Sequence, residues 1–325
     1  MMFQVGDQFD KYQIHSYLAQ GGMADLYRAH DLTTSQDVVL KIPNRSMLGD
    51  PAQYERFQRE LEVTQTLHHP AIQQGLGSGQ FNRVPYLVTA FIEGKSMRDV
   101  VTDNAPTSQD QAVVLIRKVA DGIAYCHENN VIHRDLKPEN ILITVDNQPI
   151  IVDFGLALTK DARRVTYANL TPSAGTPDYM APEQIEGQRG DQRTDLYAVG
   201  TMLYELLTGH TPFTGDNYQI IMTQHLRGAI PRLDKERTDV SPQLAAVVTK
   251  ALQRDPDDRY PTMRAFLHDL EHLDQVDTAI LETGTGEQTA LPFWHSSTFR
   301  TIVATLVVLM GIVIFALAAQ GLAPR

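Results

Sequence analysis

His133-Arg134-Asp135-Leu136-Lys137-Pro138-Glu139-Asn140 is followed, thirteen residues after Asn140, by Asp153-Phe154-Gly155. Asp135 is a carboxylate able to accept a proton, and Lys137 places a cation two residues away. Asn140 offers a carbonyl oxygen and Asp153 a carboxylate, hard oxygen donors of the kind a hard divalent cation takes. A single loop aspartate is usually a cap or a turn residue, and a lone Asp-Phe-Gly can be a turn after a strand. Here His133, Arg134 and Asn140 surround Asp135, and the apolar run Ile150-Ile151-Val152 leads into Asp153.

Outward from this centre the pattern changes twice. Toward the N-terminus, strand-like runs such as DVVLKI and VPYLVTAFI alternate around one helical stretch, YERFQRELEVTQTL, which predicts a small sheet-rich lobe over residues 9–93. Beyond Gly94, SQDQAVVLIRKVADGIAYCHENN, TDLYAVGTMLYELLTG and PQLAAVVTKAL carry helical-period or continuous apolar positions, which predicts a mainly helical lobe over 94–273. Residues 274–300 hold Gly, Thr and Pro without sustained periodicity and read as a juxtamembrane linker. Thr301 to Ala319, TIVATLVVLMGIVIFALAA, has no charge, and at about 1.5 Å per helical residue it spans roughly 28 Å, close to a bilayer core. A transmembrane helix is expected there, with Phe293 and Trp294 at the interface. Arg300 and Arg325 flank it on opposite sides, so charge does not orient it, and Gln320 to Arg325 leave no room for a sensor domain beyond it. Gly311 is flanked at four residues by Val307 and Phe315, so no small-residue dimer motif is present.

Composition sets outer bounds. The 325 residues are 42% hydrophobic and 21% charged, which supports a packed core and excludes a disordered or collagen-like chain. Lys and Arg number 28 against 39 Asp and Glu, a formal charge of −11 with no polybasic run, so nucleic acid is not an expected partner. Cys126 is the single cysteine, and His68, His69, His127 and His133 lack the spacing of a zinc motif. The opening MMFQVGDQFD does not read as a secretion leader.

The central octapeptide and Asp-Phe-Gly are joined, in order, by Lys41 in VVLK, Glu60 on the helical stretch, Ala181-Pro182-Glu183, Asp195 and Arg259. This ordered set over residues 9–273 resembles the eukaryotic-like (Hanks-type) serine/threonine protein kinases, and GGMADLYRA and GTPDYMAPEQ are similar to their bacterial branch. The resemblance implies an α+β, bilobal fold, to which the sequence adds one transmembrane helix. It implies ATP with Mg²⁺, Mn²⁺ being a substitute, and transfer of the γ-phosphoryl group to protein Ser/Thr hydroxyls.

Phosphoryl transfer needs an in-line nucleophile, cations on the phosphate oxygens and exclusion of water. By resemblance, Asp135 orients the acceptor hydroxyl, Lys137 stands by the γ-phosphate, Asn140 and Asp153 hold metal, and Lys41, paired with Glu60, reaches the α/β-phosphates. Adenine is implied to lie between Leu18, Leu26, Val39 and Leu142, with backbone bonds at Ala90 and Ile92 after a gatekeeper, Thr89. The phosphate-covering loop is Ala19-Gln20-Gly21-Gly22-Met23-Ala24-Asp25-Leu26, in which alanines replace two of the family's three glycines and Leu26 replaces valine. Gly21 still allows close backbone approach; weaker ATP binding is expected from the alanines and from Val39 at a position usually held by alanine.

Thr176 is implied to bridge Asp135 and Lys137 through its hydroxyl, a mark of Ser/Thr specificity. Arg134 suggests a pocket for a phosphate on the following loop, where Thr159, Thr166, Thr171 and Ser173 are candidates and Thr171 and Ser173 are preferred. Glu183 and Arg259 resemble a buried ion pair. Asp195 is expected to support the Asp135 loop by hydrogen bonds and could also cap its own helix.

The resulting expectation is a single-pass kinase of the cell membrane, catalytic part in the cytoplasm where ATP is, phosphorylating its own loop, with a homodimer serving trans-autophosphorylation. The competing reading is a membrane-tethered pseudokinase that binds partners without catalysis. Lys41, Asp135, Asn140 and Asp153 speak against it; Ala19, Ala24 and Val39 speak for it. A small-molecule kinase of the same fold is a third reading, disfavoured by the Ala181-Pro182-Glu183 segment.

Overall fold

Period-two burial builds the N-terminal sheet. A computed structural model describes residues 3–20, 24–44, 51–157 and 177–283. Strands β1 (Gln8–Phe9), β2 (Tyr12–Gln20), β3 (Ala24–Asp31), β4 (Gln36–Pro43), β5 (Gly75–Phe81) and β6 (Val84–Ala90) form an antiparallel sheet in the order β1-β2-β3-β4-β6-β5. Val38, Leu40 and Ile42 alternate onto one face and pack with Phe9, Tyr12, Ile14, Tyr27, Ala29, Tyr86 and Val88. The residues between them, Val39 and Lys41, face the other side. Helix α1 (Pro51–Thr66) buries Phe57 and Val63 and brings Glu60 to this second face. The ladder between β2 and β3 slips twice, leaving His15 and Leu18 as extra residues; such bulges bend and twist a strand.

The second lobe begins with a small sheet of β7 (Gly94–Ser96), β8 (Ile141–Thr144) and β9 (Pro149–Ile151). Ser96 and Ser108 cap helices α2 (Met97–Asn104) and α3 (Gln109–Glu128), each in a reciprocal capping box. After α4 (Pro182–Ile185) comes α5 (Gln192–Thr208), buried from Thr194 to Leu207, which makes it the central helix of the lobe. Its N-cap is Asp191, not Asp195, and it ends on Gly209 in the left-handed conformation at φ 87°. Asp195 therefore sits within the helix, and its carboxylate is free of the capping role that the sequence left open. Helices α6 (Tyr218–Arg227), α7 (Leu233–Glu236), α8 (Pro242–Ala251) and α9 (Met263–Glu271) complete the lobe, with α3, α8 and α9 packed on α5. At Gly200 a Cβ would stand 2.7 Å from the Ala251 Cβ, so glycine is what lets α5 and α8 approach. The α+β, two-lobed expectation describes what is seen.

Packed structure continues past the boundary read at Leu273. A short helix, α10 (Ile280–Thr283), packs on α8, buries Leu281 at 4% exposure, and has the Leu281 carbonyl held by Arg232 Nη1 at 2.7 Å. We expect Leu281→Ala to lower stability by about 2–3 kcal/mol, as removal of a buried leucine side chain does, seen as a lower urea midpoint at unchanged slope. Residues 301–319, read as a membrane span, lie outside the described residues; among those described, no helix is long and apolar enough to cross a membrane.

Candidate active site

The sheet ladder aligns the first part of the site. Leu26 of β3 and Leu87 of β6 stand opposite Lys41, and Thr89 stands opposite Val39, so Leu26, Val39, Lys41 and Thr89 share one face. Lys41 Nζ lies 2.5 Å from Glu60 Oε2 and 3.3 Å from Asp153 Oδ1. Burial alone pushes the Lys41 ammonium down, but the Asp153 and Glu60 carboxylates outweigh it and hold its pKa above the ordinary lysine value. The same cation holds the Asp153 carboxyl below the usual range. Lys41 is thus a fixed positive charge, and Asp153 a fixed negative one, at the base of the sheet.

The second part is a loop held by one buried carboxylate. Asp195 accepts hydrogen bonds from the backbone N–H groups of His133 at 2.8 Å and Arg134 at 2.7 Å, and lies 2.8 Å from His127 Nε2. Burial pushes its carboxyl up, and His127 with the loop N–H groups more than reverses this, leaving it below the ordinary value. Arg134 takes φ 68° and Asp153 φ 62°, left-handed positions that cost a non-glycine residue energy and persist where the surroundings fix them. Gln184 Nε2 donates to the Arg134 carbonyl at 2.9 Å. His133 links the two loops: its Nδ1 accepts from Asp135 N–H at 3.3 Å, its Nε2 lies 3.2 Å from the Val152 carbonyl, and its ring packs on Phe154 at 4.7 Å.

Asp135, Lys137 and Asn140 meet in this loop. Lys137 Nζ is 2.9 Å from Asp135 Oδ2, and Asn140 Nδ2 donates to the Asp135 carbonyl at 2.8 Å and to Oδ2 at 3.0 Å. Burial raises the Asp135 carboxyl above the ordinary aspartate value, with Lys137 partly offsetting the rise. Because the Asn140 amide nitrogen is spent on Asp135, its Oδ1 is turned away as an oxygen ligand. With the Asp153 carboxylate it forms the hard donor set that suits Mg²⁺, so the residues present fit that ion.

The remaining expected contacts divide. Leu18 is the second bulged residue of β2, Leu142 lies on β8, and Thr89 is buried on β6. The Ala90 N–H donates to the Gln74 carbonyl, while its own carbonyl accepts from Gln73 Nε2 at 2.9 Å; Ile92 N–H has no partner among the described residues. Ala19 and Gln20 end β2, and Ala24 and Asp25 open β3. Ala24, standing where the family has glycine, is buried with Phe57 and Leu87 and so serves as core. Gly21, Gly22, Met23, Thr176 and the loop candidates Thr159, Thr166, Thr171 and Ser173 lie outside the described residues.

Three supporting residues were not singled out from sequence. His127 bridges to Asp195 and is legible only in that its histidine ends the helix preceding the loop. Gln184 adjoins the recognised Glu183. Arg98 joins Glu139 at 2.8 Å and Glu205 at 2.6 Å and bonds the Tyr179 hydroxyl, tying the catalytic loop, the segment after it and α5 together; nothing in the sequence marks it among the other arginines.

Asp195→Asn is expected to cost about 1–3 kcal/mol at neutral pH, the scale for leaving a buried hydrogen-bonding group without its partner. A carboxyl depressed on folding contributes stability above its unfolded pKa of about 3.9 and loses it as pH falls through the lower folded value. Acid unfolding followed by circular dichroism should therefore show a shallower loss of stability below about pH 4 in the variant.

The protein kinase domain family matches residues 12–270. The chain is 35% identical over 265 residues to serine/threonine-protein kinase PknB of Mycolicibacterium smegmatis, covering 80% of this chain and 42% of that protein. It is 36% identical over 264 residues to PknL of Mycobacterium tuberculosis, covering 80% and 65%. The match thus spans about two-fifths of the length of the PknB relatives. The crystal structure of the Mycobacterium tuberculosis PknI kinase domain superposes with a TM-score of 0.65 at 25% identity, covering 84% of this chain and 100% of that one.

Proposed function

The chain belongs to the protein kinase domain family, and on that premise we propose that it transfers the γ-phosphoryl group of ATP to serine and threonine hydroxyls of proteins. The observation that carries this is the single hydrogen-bonded group of Asp135, Lys137 and Asn140, with the Lys41–Asp153 pair completing the charges around a phosphate chain. Asp135 accepts a hydrogen bond from the acceptor hydroxyl on Oδ1, the carboxylate oxygen that Lys137 and Asn140 do not bond, and takes its proton as the oxygen attacks. Lys137, already on that carboxylate, offers its remaining N–H donors to the γ-phosphate. Lys41, aimed by Glu60, neutralises the α/β-phosphates. Asn140 Oδ1 and Asp153 would hold Mg²⁺, which neutralises charge developing on the phosphate oxygens.

The preference for Ser/Thr acceptors follows from Lys137 and Thr176 in their family register, and the PknB and PknL relatives are named serine/threonine kinases. The 19-residue apolar run at 301–319 supports a single-pass anchor in the cell membrane with the kinase part on the cytoplasmic side, where ATP is. Autophosphorylation at Thr171 or Ser173, in a transient homodimer, is the regulation this reading expects. The test is incubation of the detergent-solubilised chain with MgATP and a basic protein acceptor, followed by mapping of phosphorylated residues. Phosphoserine or phosphothreonine on the chain or acceptor is expected. Nucleotide binding without transfer to either would replace this reading with the tethered binding module.

A further inference from the structure

His15, His30 and Asp37 lie on three adjacent strands, and the phosphoryl-transfer chemistry uses none of them. The ladder sets His30 of β3 directly opposite Asp37 of β4. At the first bulge of β2, His15 and Ser16 together stand against Arg28, and the His15 ring stacks on that of His30 at 5.6 Å with 13° between planes. Both Nδ1 atoms face one carboxylate oxygen: His30 Nδ1 is 2.9 Å from Asp37 Oδ1, and His15 Nδ1 is 4.0 Å from it. The other oxygen, Oδ2, is taken by Arg28 Nε at 3.0 Å and Nη2 at 2.5 Å, which fixes the carboxylate and leaves Oδ1 to the histidines.

The geometry points to a binding site for a divalent transition-metal ion of the Zn²⁺ class, held by Nδ1 of His15, Nδ1 of His30 and Oδ1 of Asp37. Among the described residues no group of three or more His, Cys, Asp or Glu side chains is placed to hold a metal ion as it stands, so this site forms only when the His15 ring moves. Closure needs the His15 ring to turn out of its stack on His30, because an imidazole nitrogen binds a metal in its own ring plane. Tetrahedral bonds of about 2.0–2.1 Å put donor atoms about 3.3 Å apart, a value between the two separations seen. The side chains are 43%, 32% and 29% exposed, so the His15 ring has room to swing inward and water can take the fourth position. Two imidazoles and one carboxylate suit Zn²⁺, Co²⁺ or Ni²⁺ and disfavour Mg²⁺, which prefers the all-oxygen set of Asn140 and Asp153. Arg28 acts in two directions: it orients the carboxylate as an outer-shell partner does, and its charge weakens cation binding. Its guanidinium also stacks on Phe91 at 4.3 Å, in the segment joining the lobes, so the ion would fasten three strands beside that connection.

The test is a Co²⁺ titration of the solubilised full chain, read by the visible absorption of tetrahedral Co²⁺ and reversed by Zn²⁺, with Mg²⁺ in excess to fill the oxygen site. One saturable equivalent is expected. His15→Ala, at an exposed ring where loss of fold is excluded by an unchanged thermal midpoint, should weaken it by about tenfold or more, and His15→Ala with His30→Ala should abolish it. Histidine ligands must be unprotonated, so binding should also fall in acid. His268 and His272 form the other stacked pair, at 4.5 Å, and their replacement should change nothing. Absence of a saturable band in the wild type, or a double-variant titration that superimposes on it, overturns the inference.

Discussion

Asp135→Asn should lower phosphoryl transfer by about 10²–10⁴-fold, the range for loss of a positioned general base, while leaving nucleotide affinity nearly unchanged. Asparagine keeps the shape and can still accept one hydrogen bond from Asn140 or Lys137, so the loop should retain its form. What it cannot do is take a proton. Lys41→Met should be comparably damaging by another route, because Glu60 and Asp153 would face each other with no cation between them and the phosphates would lose their fixed charge. The two variants separate in binding: fluorescent-nucleotide titration should show weakened affinity for Lys41→Met and near wild-type affinity for Asp135→Asn. They also separate in pH dependence. Burial raises the Asp135 carboxyl, so the wild-type kcat/KM should fall on the acid side at a pH above that of an ordinary aspartate, and the residual activity of Asp135→Asn should lack that limb. Equal activity of wild type and Asp135→Asn would remove Asp135 from the reaction and with it the central assignment.

How much of this was legible in the chain depends on the distance over which each interaction is made. Asp135, Lys137 and Asn140 lie within six residues, so their spacing alone brought them together. Lys41 and Glu60 are nineteen apart, and they meet because β4 alternation and the turn of α1 aim both at one face, two periodicities that sequence carries. His127 and Asp195 are 68 residues apart, and no local pattern relates the end of α3 to the first turn of α5. The choice of helix cap shows the same limit at short range. Asp191 and Asp195 are both plausible caps, and only the backbone at Asp191, extended with its side chain on the Arg193 N–H, decides between them. The bulges that displace His15 and Leu18 carry no glycine or proline to announce them. Residues 280–283 read as linker because four residues cannot display a helical period; burial of one leucine and one arginine-to-carbonyl bond gives them a place.

Arg259→Ala should be the most destabilising single change in the second lobe. Its guanidinium is fully buried and paired with Glu183 through Nη1 at 2.9 Å and Nη2 at 2.8 Å. It also donates to the carbonyls of Gln253 at 2.7 Å, Arg193 at 2.9 Å and Arg254 at 2.9 Å, and lies over the Tyr197 ring at 4.8 Å. Breaking a buried pair from one side costs about 3–5 kcal/mol, since the abandoned charge stays in a poor solvent. For a body of this size that corresponds to a fall on the order of 10 °C in thermal midpoint. Glu183→Ala removes the carboxylate but leaves the guanidinium its three carbonyl acceptors, so its effect should be smaller, even though Thr194 Oγ1 also loses its acceptor. Replacing both partners by residues of similar volume, Glu183→Gln with Arg259→Met, should recover part of the loss, because no unpaired charge is then buried. Calorimetry of the three variants distinguishes this from simple loss of packing: if the pair variant is no more stable than Arg259→Ala, the penalty lies in the carbonyls and the Tyr197 contact, and the ion pair is incidental. Activity gives a second axis. Glu183 lies in the short helix whose Gln184 holds the Arg134 carbonyl, so a slackened pair should reach the catalytic loop through that bond. Restoring the midpoint without restoring the rate would show that Glu183 and Arg259 hold the loop as well as the lobe.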